Sequence, residues 1–173
     1  MENLETASLP SPELDDFSTM RERVRGTNIS ETTLLATDYL NHFNEVVMML
    51  DMVPSMPMFL DELQEWEPKS YQQHFRDASF SDAALAVEAY LHVPPKYREP
   101  FEEVVDLLDR FVDNAISRLA QTIAAEDEAA TAAISKDHST RLTKLIDLAS
   151  AIIHGQEDVL GQAQIDDLFP EHA

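Results

Sequence analysis

Two stretches in the second half of the chain repeat apolar residues at three- and four-residue steps, and this pattern constrains the fold more than any other feature. The first runs from about Tyr97 to Ala125, and the second follows the acidic corner AEDE and ends near Gly155. Steps of three and four residues place apolar side chains on one face of an α-helix. Two such helices joined by a short corner are expected to pack antiparallel. The pattern therefore predicts a bundle built on a long antiparallel helical hairpin, with Gly155 at the end of its second helix.

The composition agrees with an all-α fold. Only 3 of the 173 residues are glycine, and the hairpin dipeptides Asn-Gly and Asp-Gly are absent. Few tight turns can form in such a chain, whereas Ala, Leu and Glu favour helices. The length suits a single domain. We predict an all-α helical bundle.

The first half of the chain predicts shorter elements. A polar cap near Asn28 or Ser30 precedes the helical stretch ETTLLATDYLNHFNEVVMMLDMV, which stops before Pro54. Prolines then divide residues 54–78 into two short helical pieces that break at Pro68 and form an elbow. A further short helix, DAALAVEAYLHV, ends at the Pro94-Pro95 pair. We predict a flexible lead-in over 1–27, a helical domain over 28–155, and an acidic linker with a docking peptide over 156–173.

The charge and the missing motifs exclude several classes of function. The chain has 12 Lys and Arg against 33 Asp and Glu, a net charge of −21, which repels a phosphate backbone and disfavours nucleic-acid binding. There are no cysteines, so disulfides, Cys-zinc sites and thiol nucleophiles are excluded. Neither a glycine-rich phosphate loop nor a Gly-x-Ser-x-Gly motif occurs, and we assign no catalytic residues and no cofactor. Without a signal peptide or a long apolar run, we expect a cytoplasmic protein that is not in a membrane.

A polar stripe in the predicted first helix admits two interpretations. Asp38, Asn41, His42 and Glu45 fall on one face of a helix at i, i+3, i+4 and i+7. Asp38, His42 and Glu45 could ligate a metal as in carboxylate-rich helical bundles, although the Glu-x-x-His pair of such bundles is missing. The other interpretation is a solvent-facing stripe.

Two further clusters also admit two interpretations each. Five of the seven methionines lie in MMLDMVPSMPMF, residues 48–59. They form either an adaptable docking surface for a partner or filler in the core at the elbow, where Trp66 and Tyr71 are also expected to pack. Arg21, Arg23 and Arg25 either bind an anion or pair with the acidic body of the protein.

The C-terminal segment GQAQIDDLFPEHA has the pattern of a docking peptide. Ile165, Leu168 and Phe169 stand at i, i+3 and i+4 beside Asp166 and Asp167. A helix this short is marginal alone and is expected to fold on binding an apolar groove with lysines or arginines nearby. The alternative is a terminal turn that folds back on a groove of the chain's own bundle.

The stretch GQAQIDDLF resembles the response-regulator-docking peptides of the chemotaxis phosphatase CheZ and of the flagellar motor switch protein. The matching residues, which by this resemblance would form the docking face, are Gln162, Ile165, Asp166, Asp167, Leu168 and Phe169. The stretch from Asp137 to Lys144, DHSTRLTK, is loosely similar to the second hairpin helix of that phosphatase family, but the catalytic glutamine has no counterpart.

The resemblance implies a regulator or adaptor in two-component or chemotaxis-type signalling that binds a receiver domain, without phosphatase activity. Long amphipathic hairpins also often dimerise into four-helix bundles, so a homodimer is among the expected states.

Overall fold

The computed structural model describes residues 12–159, Gly161 and Leu168. The all-α prediction is confirmed, because α-helices dominate this part of the chain and its only strand-like pairing is an isolated bridge between Ile29 and Ala36. The α-helices in chain order are α1 (Pro12–Val24), α2 (Asn41–Met52), α3 (Phe59–Glu65), α4 (Tyr71–Asp77), α5 (Ala83–Tyr90), α6 (Pro95–Ala124) and α7 (Glu128–Ile153). A 3-10 helix, Thr37–Leu40, leads directly into α2.

The long hairpin is formed by α6 and α7, which have 30 and 26 residues. Pro95 starts α6 at a position where its missing N–H is no loss. At the corner, Glu126 adopts a φ of 54° and the Asp127 carboxylate accepts a hydrogen bond of 2.9 Å from the Ala130 N–H, which caps α7. The facing sides bury large apolar residues such as Phe101, Leu108 and Leu142. The corner thus turns the chain so that the two apolar stripes meet.

Helix α2 packs across α7 and completes the central three-helix layer. The Ser135 hydroxyl donates to the Leu50 carbonyl, and the Ser139 hydroxyl donates to the Asp51 carboxylate at 2.6 Å. The first bond satisfies the carbonyl of the buried Leu50 near the end of α2, and the second ties α7 to the exposed Asp51. Helices α3 and α4 form the predicted elbow, with non-helical residues between them around Pro68.

Helix α1 lies within the segment 1–27 that the sequence predicts to be flexible. Two of its side chains, Met20 and Val24, are buried in the core at i and i+4. Its Arg23 guanidinium forms a two-pronged ion pair with Glu88 of α5, at 2.5 and 2.7 Å. Two apolar residues one turn apart are too few to show a periodic pattern in the sequence. In the structure, these two side chains and the ion pair attach α1 to the rest of the bundle.

The predicted first helix begins about ten residues later than the sequence indicates. The Ser30 hydroxyl accepts hydrogen bonds from the Thr32 and Thr33 N–H groups at 3.2 and 3.3 Å, which holds a turn in place of a helix. Leu34 then takes a φ of 64°. The Thr33 hydroxyl donates a hydrogen bond of 2.6 Å to the Ile153 carbonyl at the end of α7. This turn is buried because it closes the C-terminal end of the hairpin.

No helix in the described part of the chain is both long and apolar enough to span a lipid bilayer.

Candidate interaction surfaces

Of the six residues predicted to form the docking face, the described part of the chain includes only Leu168. Gln162, Ile165, Asp166, Asp167 and Phe169 lie outside the described residues. Leu168 is only 5% exposed and packs into the hydrophobic core. Its carbonyl accepts a 3.2 Å hydrogen bond from the Arg141 guanidinium of α7, which is also paired with Asp137 at 3.0 Å. Leu168 therefore contacts the chain's own bundle at an apolar position beside a cation.

The linker that leads to this segment is attached to the start of α6. Gly155 follows α7 with a φ of 90°, the left-handed conformation expected after a helix end. Two residues later, Glu157 pairs with Lys96 at 2.5 Å. Val159 is half-buried against the core. The chain is thus held to the bundle at Glu157, Val159 and Leu168.

The polar stripe proposed as a metal site is divided between different environments. Asp38 lies in the 3-10 helix and is half-buried, His42 faces inward with 8% exposure, and Glu45 is exposed on α2. Among the described residues, no three His, Asp or Glu side chains are grouped so that they could hold a metal ion. The metal hypothesis for Asp38, His42 and Glu45 therefore lacks its ligand set in this structure.

His42 belongs to an aromatic cluster. Its ring stacks on Trp66 at 4.6 Å, and the Trp66 indole N–H donates 3.3 Å to the His42 carbonyl. Burial lowers the pKa of His42 to about 4, and the nearby His74 adds to this effect. The pKa of His74 is lowered chiefly by burial too. Both imidazoles are therefore neutral at pH 7, and Trp66 packs at the elbow as predicted.

The methionines around the elbow are mostly at the surface. Met48, Met56 and Met58 are 58%, 42% and 69% exposed, whereas Met49 and Met52 are half-buried. Of the five, Met49 is the one that packs against the hydrophobic core. We call Met48, Met56 and Met58 the exposed elbow methionines. Such unbranched, polarizable side chains adapt to varied apolar partners.

A cleft with a volume of about 830 Å³ lies between α1, the Ser30 turn and the start of α6. Arg21, Lys96 and Arg98 line it together with His92, so we call it the basic cleft. Within the predicted arginine cluster, Arg23 and Arg25 pair with acids, whereas Arg21 faces this cleft. The arginine cluster was the only part of the cleft that the sequence indicated, because Lys96 and Arg98 stand 75 and 77 residues after Arg21.

A half-buried carboxyl on α6 was not singled out by the sequence. Asp109 stands at the edge of the apolar stripe, four residues after Val105 and three before Val112. One of its oxygens is buried and has no hydrogen-bond partner among the described residues. Burial, with a smaller contribution from Asp106, raises the pKa of Asp109 to about 6. It lines a small cavity of about 310 Å³ beside Tyr39, where its charge is destabilising.

Comparison of the chain with protein-family models, with curated proteins and with solved structures finds no match.

Proposed function

We propose that the chain is a protein-interaction regulator or adaptor of two-component or chemotaxis-type signalling that docks to a response-regulator receiver domain through residues 162–169. The observation that carries this proposal is the stretch GQAQIDDLF, with its resemblance to receiver-docking peptides. Three apolar anchors on one turn, flanked by two acids, suit a groove that offers apolar contact and a cationic edge.

The contact of Leu168 with the chain's own bundle is the one expected of a terminal turn that folds back, and its chemistry indicates what kind of groove the segment fits. Leu168 is buried, and its carbonyl accepts a hydrogen bond from the guanidinium of Arg141 on α7. This is the type of environment, apolar with a cation beside it, that the docking peptide would need on a partner. Docking would exchange this internal contact for an external one, so the affinity for the partner would depend on how firmly Arg141 holds the segment.

Titration of the full chain with a purified chemotaxis receiver domain, in phosphorylated and unphosphorylated forms, tests the proposal. Reversing Asp166 and Asp167 to lysine is expected to weaken binding by about tenfold or more, since both acids would face cations of the partner. The matched control reverses the same number of charges at exposed sites of α7, Glu128 and Asp147. Absence of binding by the native chain, or equal binding by both double variants, would contradict the proposal.

A second candidate function is partner binding through the exposed elbow methionines, because their exposure is high for such large apolar side chains. Replacing Met48, Met56 and Met58 together with glutamine is expected to leave folding intact and to weaken association with a partner. Met52 and Phe59 are half-buried, so changes there would also disturb packing. A partner first captured with the chain would then be purified and titrated. Loss of binding on truncation at Gly155, with no effect of the methionine changes, would reject this candidate in favour of the tail.

A further inference from the structure

The basic cleft is an exception on a strongly acidic molecule. The chain has 12 Lys and Arg in total, and three of them, Arg21, Lys96 and Arg98, line this one cleft. Asp16 and Glu31 are the acids that line it with them. Lys96 is paired with Glu157 at 2.5 Å, and Glu31 lies 3.8 Å from Arg25. The charged side chains of the cleft that have no ion pair among the described residues are therefore Arg21, Arg98 and Asp16, an excess of one positive charge. At physiological ionic strength, charges more than about 8 Å away are largely screened, so this local excess persists despite the net charge of −21.

The elements that form the cleft give it a stable position. Arg21 extends from α1, which is fastened to α5 by the Arg23–Glu88 ion pair. Lys96 and Arg98 are in the first turn of α6, where the rigid Pro94-Pro95 pair starts the helix. Two separate parts of the chain, α1 and the start of α6, thus bring cations to the same place. No loop closure is needed to assemble it.

The cleft also has an apolar component. Val93 and Tyr97 are buried at its base, Phe17 is half-buried, and Leu91 is 66% exposed at its edge. A volume of about 830 Å³ lies in the range typical of ligand sites, and the cleft is open to solvent along one side. A binding partner would therefore need apolar side chains for the base and negative charges for the rim.

We propose that the basic cleft binds an acidic amphipathic segment of a partner protein. Charge complementarity and the apolar base together favour such a segment over a purely ionic or a purely apolar ligand. The inference does not depend on residues 162–169, and it adds a second binding surface to the chain. An adaptor needs two such surfaces, one for each protein that it joins.

The test uses the full-length chain and a fluorescein-labelled helical peptide with leucines on one face and glutamates on the other. The same peptide with every glutamate replaced by glutamine serves as the charge control. Fluorescence anisotropy is expected to show binding of the acidic peptide, at least about tenfold weaker binding of its glutamine analogue, and weakening of the acidic complex as NaCl is raised. No binding of the acidic peptide, or equal binding of both peptides, would overturn the proposal.

Charge reversal locates the binding site. Arg21→Glu with Arg98→Glu is expected to weaken binding of the acidic peptide by about tenfold or more. The control reverses two exposed cations outside the cleft, Arg118→Glu with Lys136→Glu, and is expected to change the affinity by less than about twofold. Because Arg98 is half-buried, the exposed Arg21→Glu alone is measured as well, in case the double variant fails to fold. Equal effects inside and outside the cleft would overturn the assignment.

Two other occupants are outcomes of the same assay. Displacement of the peptide by inorganic phosphate, at an ionic strength matched with NaCl, would identify a small-anion site and overturn the peptide proposal. Strong peptide binding that appears only after Glu2→Lys with Glu5→Lys would identify the chain's own first residues as the occupant, and would overturn it too.

Discussion

Asp109 shows how a single residue can be placed against its own electrostatic preference. Its pKa lies at about 6 instead of the ordinary 3.8 because burial disfavours the carboxylate. The folded state therefore holds its proton more tightly than the unfolded state. As far as Asp109 is concerned, the free energy of unfolding of the protein is highest below pH 3.8, where the carboxyl is protonated in both states. It falls as the pH rises from about 4 to 6 and stays at the lower value above that range.

Asp109→Asn is accordingly expected to stabilise the protein at pH 7. The pKa difference corresponds to at most about 3 kcal/mol, and partial access of solvent reduces the expected gain to about 1–2 kcal/mol. Urea unfolding at pH 7 and at pH 4 measures it, since little gain should remain at the lower pH. The exposed Asp113→Asn on the next turn of α6 is the control. A gain that is independent of pH, or that is shared by the control, would contradict this interpretation.

Gly155 is the second residue whose environment permits a sharp prediction. An alanine Cβ there would lie 2.8 Å from Cγ2 of Thr32, and the φ of 90° already disfavours any side chain. Gly155→Ala is expected to lower the free energy of unfolding by about 2–3 kcal/mol. Gly26→Ala, at a φ of 78° with no atom within 4 Å, should lose only about 1 kcal/mol. Chemical denaturation compares them, and Thr32→Ser should recover part of the loss at Gly155 but none at Gly26.

At the scale of elements, long amphipathic helices were predictable and short irregular contacts were not. The stripe from Phe101 to Leu119 repeats often enough that α6 could be located from periodicity alone. Residues 31–36 also look helical in composition, but they form a turn. In this turn the Thr33 N–H donates to the Ser30 hydroxyl and the Thr33 hydroxyl donates to the Ile153 carbonyl. The basic cleft joins α1 to the start of α6, and such a long-range juxtaposition leaves no local pattern in a single sequence.

The attachment of the tail to α7 is also a property of an element, and Arg141 is its polar contact. Arg141→Ala removes the donor to the Leu168 carbonyl, a charge-assisted bond for which about 1.5 kcal/mol is a representative contribution. Amide hydrogen exchange of the C-terminal peptide, followed by mass spectrometry, is expected to become roughly tenfold faster. Lys144→Ala, an exposed cation on the next turn, is the control. Exchange that is equally fast in the native chain and in both variants would show that Arg141 does not hold the tail.

For the whole molecule, the net charge of −21 means that repulsion between its carboxylates lowers the stability of the folded state. At pH 7, raising NaCl from about 0.01 to 0.3 M is expected to raise the Tm by about 3–5 °C, because salt screens the repulsion between carboxylates. Near the calculated isoelectric point of about 4.3 the net repulsion vanishes, so salt should then leave the Tm unchanged or lower it slightly. Differential scanning calorimetry measures both series. A Tm that falls with salt at pH 7 would mean that attractive ion pairs outweigh the repulsion.

The bond from Thr33 to the Ile153 carbonyl spans 120 positions of the chain, and it has a consequence during synthesis. Leu34, which is fully buried beside Thr33, and the face of α2 that packs on α7 stay partly uncovered until α7 has left the ribosome. At about 5–20 residues per second, the roughly 100 residues after α2 take on the order of 5–20 s to translate. For that interval the emerging chain carries an uncovered apolar surface, so its yield in the cell should depend on chaperones that hold nascent polypeptides.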